Sequence, residues 1–205
     1  MGEITQIIPQ VKDKRRCNVY VDGVFCCGLT LETAIKNRLK VGISITQEEL
    51  SAMQLESEKQ TALDKALTHI SASQKTEREI RDFLKKKGYL SSVQNYVVEK
   101  MKSYRFIDDE NYAKHYAESA VKKMGKRKIF LELKKKGISE EKIEGATADL
   151  EGEEETAKRL LEKYMRGKTV DPPTLQKAFR HLVSKGFDYD ICKSSLSAFG
   201  EVEEE

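Results

Sequence analysis

Few residues in this sequence have the type and spacing that catalysis requires. No two cysteines stand in a C-x-x-C pair, which argues against a zinc site and against thioredoxin-like chemistry. No two histidines form an H-x-x-x-H arrangement, and none lies beside a plausible serine or cysteine nucleophile. These residues are Cys17, Cys26, Cys27, Cys192, His69, His115 and His181. We therefore predict histidines on helix surfaces or in the core, and no catalytic residue.

Three consecutive carboxylates, Asp108-Asp109-Glu110, are the candidate for a metal site. On a helix, consecutive side chains point in diverging directions, and acidic residues in a first turn offset the helix dipole. Helix capping explains this cluster without a metal, and no phosphate loop of the G-x-x-x-x-G-K-S/T type is present. The sequence therefore predicts a protein that binds another macromolecule, with no catalytic activity, metal or cofactor.

Runs of basic residues are the strongest candidate for a binding surface. Residues 75–142 contain 19 basic and 11 acidic side chains, a net charge of +8, whereas the whole chain has a net charge of +3. The candidate partner- or nucleic-acid-binding residues are Lys85, Lys86, Lys87, Lys122, Lys123, Lys126, Arg127, Lys128, Lys134, Lys135 and Lys136. Such a region suggests an anionic partner: nucleic acid, a nucleoprotein or an acidic protein. The alternative is a solvated helix face whose lysines complement helix dipoles.

An internal repeat positions these lysines. The sequence Leu-Lys-Lys-Lys-Gly ends at Gly88 and again at Gly137, and a weaker copy ends at Gly186, so both intervals are 49 residues. Equal spacing held twice, with apolar residues at matching offsets, is the signature of a repeat architecture. Each repeat is predicted to form three helices. Each glycine is predicted to end the second helix with a positive φ, and the apolar residue after it to fold back on the helix end.

Helix geometry then predicts which lysines face outward. If Leu84 faces the core, the 100° step per residue places Lys86 about 200° away, nearly opposite. The position two before each glycine is Lys86, then Lys135, then Ser184. We expect a basic band on the outward side of repeats 1 and 2 that fades in repeat 3.

The predicted fold class is mainly α: three tandem three-helix repeats in a curved array, preceded by a small β-hairpin-plus-helix module. The module spans 1–60, with a two-residue Asp22-Gly23 turn between strands and a second helix opened by the capping box at Thr46. Repeat 1 spans 61–107, with a first helix over about 63–70; repeat 2 spans 108–150, and repeat 3, with an acidic C-terminal tail, spans 151–205. In repeat 2 a helix capped by Asp108 is expected to run to about Met124 and to be stopped by Gly125. We expect the module to be separable from the repeats.

Composition agrees with thin helical layers. Charged residues make up 35% of the chain and hydrophobic residues 39%, with no tryptophan. This is polar for a globular chain, yet not polar enough for disorder. No apolar run approaches the length of a membrane span, and no secretory signal is evident. We expect a cytoplasmic monomer with reduced thiols and no membrane contact.

Four segments together resemble the RecX family, bacterial regulators of the RecA recombinase. They begin at Thr76 (TEREIRDFLKKKGY), Phe106 (FIDDENYAKHY), Lys128 (KIFLELKKKGI) and Leu182 (LVSKGFDYD), and the resemblance covers about residues 60–200. It implies a partner, the RecA filament, with DNA bound directly or within the filament. It also implies restraint of ATP hydrolysis, strand exchange and coprotease activity, and hence a role in DNA repair, recombination and the SOS response. Repeat 3 departs from the family where Val183-Ser184 replaces basic residues.

Two alternatives from different functional classes stay open, and the weaker is an enzyme with an unrecognised site. The chain could be a helical nucleic-acid-binding protein that acts through phosphate contacts without sequence specificity. The sequence offers no base-reading helix and no aromatic platform for stacking bases.

Overall fold

The structure is a computed structural model that describes residues 1–199. The chain forms two compact units, described separately below. Unit one contains 1–74 and 80–106, and unit two contains, among the described residues, 75–79 and 107–199. The expected acidic tail falls on residues 200–205, outside the described part. Within residues 1–199, no helix is both long enough and apolar enough to cross a bilayer.

The N-terminal module is a four-stranded antiparallel sheet with strand order β3-β2-β1-β4. Its elements are β1 (Gly2–Pro9), β2 (Arg16–Val21), β3 (Val24–Thr30), α1 (Leu31–Lys36) and β4 (Ser44–Ile45). The Asp22-Gly23 turn is confirmed, with φ values of 50° and 78°, the left-handed geometry that a tight hairpin needs. The hairpin of β2 and β3 thus belongs to a larger sheet, in which β1 and the two-residue β4 extend it, and its core includes Ile4, Val19 and Leu29.

Helix α2 (Gln47–Ile70) is continuous, where we expected one helix in the module and another in repeat 1. Its capping box at Thr46 and Glu49 is confirmed. Two strands of the sheet bind the middle of this helix. Ser57 accepts a 2.7 Å hydrogen bond from the Thr30 N–H, and Arg16 donates to Thr61 over 2.9 Å. One turn further, Ala62, Leu63 and Ala66 are buried. Position 60 therefore lies inside a helix, and the module and repeat 1 share unit one.

Three helical repeats follow, as predicted. Repeat 1 uses the end of α2 with two further helices, and repeats 2 and 3 have three helices each. These helices are α3 (Glu77–Lys86), α4 (Ser91–Ser103), α5 (Asp109–Ala120), α6 (Lys126–Lys135), α7 (Glu140–Thr147), α8 (Glu153–Met165), α9 (Pro172–Ser184) and α10 (Tyr189–Leu196). The second helix of each repeat is therefore α3, α6 or α9.

The predicted glycine ends of these second helices are confirmed. Gly88, Gly137 and Gly186 have φ values of 83°, 85° and 87°. The N–H of the following residue reaches back to the Leu carbonyl five positions earlier, for example from Tyr89 to Leu84 over 3.2 Å. This is the Schellman bond, and it recurs in all three repeats.

The predicted end of the first helix of repeat 2 was wrong. Helix α5 ends at Ala120, and Gly125 is the N-cap of α6 with a φ of −78°, so it does not stop the preceding helix. Gly125 is small for a packing reason: a Cβ atom there would lie 2.3 Å from the backbone oxygen of Gly186. The third helices begin at Ser91 in α4, whose N-cap is Leu90, and after the N-cap residues Ser139 and Asp188 in α7 and α10; none of the three N-cap side chains makes a cap hydrogen bond.

Candidate partner-binding surface and repeat junctions

The lysines of repeat 1 face solvent as the helix geometry predicted. Leu84 is fully buried, whereas Lys85, Lys86 and Lys87 are exposed. Among residues 1–199, neither Lys85 nor Lys86 makes an ion pair within 4.0 Å. The ammonium of Lys87 lies 5.7 Å from the centre of the Phe83 ring, a cation–π distance. These three charges are available to an external anion.

The matching lysines of repeat 2 are engaged in the fold to different degrees. Lys134 pairs with Glu140, and Lys135 pairs with Glu132 one turn away over 3.2 Å while its side chain stays 71% exposed. An exposed pair of this kind contributes little and competes weakly with a partner. Lys136 is only 30% exposed and belongs to a repeat junction described below. Of this run, Lys135 therefore resembles Lys86 most closely.

The second basic cluster consists of Lys122, Lys123, Lys126, Arg127 and Lys128, and its members are also engaged in the fold to different degrees. Lys122 and Lys123 are exposed. Arg127 instead pairs with Asp188 over 2.6 Å, and Lys126 and Lys128 are half-buried at the next junction. In repeat 3 the position of Lys86 holds Ser184, whose hydroxyl donates 2.7 Å to the His181 carbonyl. The candidate lysines are distributed over both units, so a continuous band across them stays a prediction.

Junction 1–2, formed inside unit two by residues 75–79 and the end of α6, was not foreseen from the sequence. The Thr76 hydroxyl donates 2.7 Å to the Lys136 carbonyl, and the Lys136 ammonium donates 2.9 Å to Glu79. Burial opposes the charge on Glu79, but hydrogen bonds from Lys136 and the Thr76 N–H outweigh it, so the pKa of Glu79 is below its usual value. The pKa of Lys136 is raised because its bonds with Glu79 and Tyr112 outweigh its burial.

Junction 2–3 joins the equivalent positions, 49 residues on, through backbone contacts. The Gly125 N–H donates 3.0 Å to the Lys185 carbonyl, and the Arg127 N–H donates 3.2 Å to the Gly186 carbonyl. The Cα of Gly186 packs so closely on Lys128 that a Cβ there would lie 2.4 Å from the Lys128 backbone nitrogen. At both junctions, therefore, the first turn of the second helix of one repeat packs on the glycine end of the second helix of the next repeat.

A carboxylate at the start of the following repeat completes each junction. Asp109, the first residue of α5, accepts a 2.9 Å hydrogen bond from the Glu77 N–H. Glu153, the first residue of α8, accepts a 2.8 Å bond from the Lys126 N–H. Both N–H groups lie in the first turn of a helix, where no carbonyl of the same helix accepts from them and the helix dipole favours negative charge. Asp109 was predicted only as a first-turn acid; its role across the junction had no local signal, although Asp108 does cap α5 as predicted.

Cys192 and two of the three histidines lie in structural contacts. Burial raises the pKa of Cys192 to about 11, so its thiol is protonated at neutral pH and is a poor nucleophile. His69 stacks on Phe83 with ring centres 4.1 Å apart, and His181 stacks on Tyr164 at 4.7 Å. His115 is exposed on α5. Both stacked rings join the first and second helices of their repeats.

Unit one also contains a cleft that the sequence did not reveal. It has a volume of about 770 Å³ and lies between the basic turn after β1, the end of α2 and the end of α3. Its basic lining residues include Lys14, Arg15, Lys65 and Lys87, and the His69–Phe83 stack forms part of its wall. Asp13, Glu32 and Asp64 also line it, so its charge is mixed, with basic groups in excess.

Four family models match the chain in order. "Regulatory protein RecX N-terminal domain" matches residues 2–46, and the first, second and third RecX three-helix domains match 62–101, 108–146 and 152–196. A Regulatory protein RecX of Clostridium perfringens is 35% identical over 200 residues, covering 95% of this chain and 94% of its own. One of Clostridium tetani is 32% identical over 203 residues, covering 96% and 94%.

Solved structures agree with this match. A crystal structure of regulatory protein RecX is 26% identical, with a TM-score of 0.73 over 93% of this chain and 97% of that one. RecX from Lactobacillus salivarius is 25% identical, with a TM-score of 0.63 over 69% of this chain and 96% of that one. The order of the matched domains, the identity and the coverage lead to one conclusion: this chain belongs to the RecX family of regulatory proteins.

Proposed function

We propose that this regulatory protein binds the RecA recombinase, or its filament on DNA, and restrains its ATPase, strand-exchange and coprotease activities. The observation that carries the proposal is the equivalence of Lys86 and Lys135. Both occupy the position two before a helix-ending glycine, both are exposed, and both lie opposite a fully buried leucine. Repeated exposed charge at one position of a repeat suits a repetitive anionic partner, which a nucleoprotein filament is.

The surface can act through charge without catalysis. Lys86 has no competing ion pair among residues 1–199, and the Lys135–Glu132 pair is exposed and therefore weak. Lys85, Lys87, Lys122 and Lys123 add exposed positive charge near these positions in sequence. Lysines that meet phosphates or carboxylates on a partly desolvated surface form charge-assisted hydrogen bonds, which are stronger than neutral ones.

The test is a pair of charge reversals with a matched control. In the double variant Lys86→Glu with Lys135→Glu, each reversed contact should cost about 1–2 kcal/mol, so filament affinity should fall about tenfold to a thousandfold. Ser184→Glu, at the equivalent position of repeat 3, should cost much less. Filament affinity and slowing of DNA-dependent ATP hydrolysis by cognate RecA, well below one-to-one stoichiometry, are the two readouts. Equal losses at all three sites, or none at the lysine pair, would return these lysines to helix-end electrostatics.

Binding to nucleic acid alone is the second candidate. It is favoured by a small surface groove in repeat 2, lined by Lys126, Arg127, Phe130 and Leu131, which combines basic and apolar groups. Salt separates the two functions. Pure phosphate binding should lose orders of magnitude in affinity between about 50 and 200 mM salt, whereas buried protein–protein contacts should persist better.

A further inference from the structure

The glycine end of a second helix is a docking surface that this protein uses twice. At Gly137 it receives the turn at Thr76–Glu79, and at Gly186 it receives the turn at Gly125–Lys128. Both occupants are first turns of an α-helix, and both bring a backbone or hydroxyl donor to the carbonyl of the lysine before the glycine. The receiving surface is therefore a property of the repeat, and repeat 1 carries the same surface at Gly88.

At Gly88 no part of residues 1–199 occupies this surface. A Cβ atom built on Gly137 or Gly186 would lie within 2.5 Å of its occupant, whereas one built on Gly88 would meet no heavy atom of the described residues within 4 Å. The side chain of Lys87, which corresponds to Lys136, is exposed and faces the cleft described above. The cleft is open beside the surface where the other two repeats receive a helix.

The chemistry of the missing occupant follows from junction 1–2. There the Lys136 ammonium lies 5.5 Å from the Tyr112 ring centre and binds Glu79, the third residue of the incoming helix. In repeat 1 the Lys87 ammonium lies 5.7 Å from the ring centre of Phe83, which is on the same helix, α3. Lys14, Arg15 and Lys65 also line the cleft; Asp13, Glu32 and Asp64 offset part of their charge, and basic groups remain in excess. An incoming first turn with a carboxylate would find a cationic partner there.

The equivalent helix start of a second copy of this chain does not supply that turn. The second-helix start that no junction uses is that of α9, where the position equivalent to Gly125 is Thr174. Both the N–H and the hydroxyl of Thr174 already bond Asp171, and the helix starts earlier, at Pro172, with two prolines that have no N–H to donate. The start of α9 is therefore no match for the Gly88 surface, and the occupant proposed below is a helix of another protein.

We infer that the Gly88 end of α3, together with the adjoining cleft, binds the acidic first turn of an α-helix on the partner protein. The inference rests on the proposed function, in which that partner is the RecA filament. It adds a site for protein–protein contact, beside the outward lysines, and gives that contact a defined geometry: a helix N-terminus seated end-on, with its carboxylate on Lys87.

Photo-crosslinking tests the location directly. Thr68 is exposed and lines the cleft, so it can be replaced by p-benzoylphenylalanine in the full-length chain without altering Lys87. The labelled protein is irradiated with RecA filaments formed on oligo(dT) with a non-hydrolysable ATP analogue. We expect a crosslink to the first turn of a RecA helix that contains Asp or Glu. A crosslink to DNA, to another copy of this chain or to another part of RecA overturns the inference, and so does the absence of any crosslink when the filament is bound.

A charge reversal tests the chemistry. Lys87→Glu should weaken filament binding at least about tenfold, because it places like charge against the carboxylate. Lys40→Glu, an equal charge change at an exposed position in the same unit, should change it less than about twofold. Unchanged binding by a folded Lys87→Glu variant overturns the inference alone, while wild-type protein that does not bind the filament overturns the proposed function with it.

Discussion

The two junctions in unit two have the same geometry and different chemistry. Junction 1–2 uses side chains: a threonine hydroxyl, and an ion pair between Glu79 and Lys136. Junction 2–3 uses backbone groups brought together by two glycines, Gly125 and Gly186, with a buried glutamate beside them. A repeat thus conserves the placement of its helices while the contacts that hold them vary. The first junction should respond to charge and pH, and the second to side-chain size.

The largest effect is expected from size at junction 2–3. Gly125→Ala places a Cβ atom 2.3 Å from the Gly186 oxygen, and both atoms are fixed by backbone, so the junction must open. Overpacking of this kind should cost about 3 kcal/mol in the free energy of unfolding. Gly145→Ala is the control, because its Cβ would meet nothing within 4 Å on an exposed helix position, and it should stabilise by about 0.5–1 kcal/mol. Denaturant unfolding of the two variants measures the difference, and a Gly125→Ala protein as stable as wild type would contradict the close backbone contact.

The three helix-ending glycines should rank by occupancy. Alanine at any of them adds strain from the left-handed backbone, about 1 kcal/mol. Gly186→Ala adds a clash with the Lys128 backbone, Gly137→Ala a clash with the flexible Arg78 side chain, and Gly88→Ala no clash. We therefore expect the loss of stability to decrease from Gly186 to Gly137 to Gly88 in the same unfolding experiments. Equal losses at all three would mean that the junctions add nothing to the strain.

Features that depend on neighbouring residues were predicted from the sequence, whereas contacts between distant residues were not. The glycine ends, the capping box at Thr46 and the Asp22-Gly23 turn depend on residues within a few positions, and all were predicted. The junctions join residues as far apart as Thr76 and Lys136, so no local pattern reports them. Gly125 was misassigned as a helix stop because a glycine required by a distant backbone has the same local signature. The continuity of α2 was missed because its stabilising contacts come from the sheet.

Charge should dominate at junction 1–2. Glu79→Gln removes the half-buried ion pair with Lys136 and should cost about 1 kcal/mol, or about 2–4 °C in the melting temperature. Because the folded-state pKa of Glu79 lies below the unfolded value of 4.5, its contribution is present above pH 4.5 and is lost as the pH falls through the lower folded value. The difference between wild type and variant should therefore shrink in melts recorded at decreasing pH below 4.5. A constant difference would show that the pair is not the source.

Replacing the buried glutamate at junction 2–3 should raise the stability of the fold, and this should be the smallest of these effects. Glu153 is 7% exposed, and burial raises its pKa above 4.5 although the Lys126 N–H favours the ionised form. A carboxyl group with a raised folded-state pKa stabilises the fold less once the pH rises through that value, because ionisation in the buried site is costly. Glu153→Gln keeps an oxygen to accept from Lys126 and removes the charge, so it should raise the melting temperature at pH 7 by about 1–2 °C. At pH 4, where the wild-type carboxyl is protonated, the gain should vanish. Asp109→Asn at the equivalent, less buried position of junction 1–2 is the control, and the same gain there would show that burial of Glu153 is not its cause.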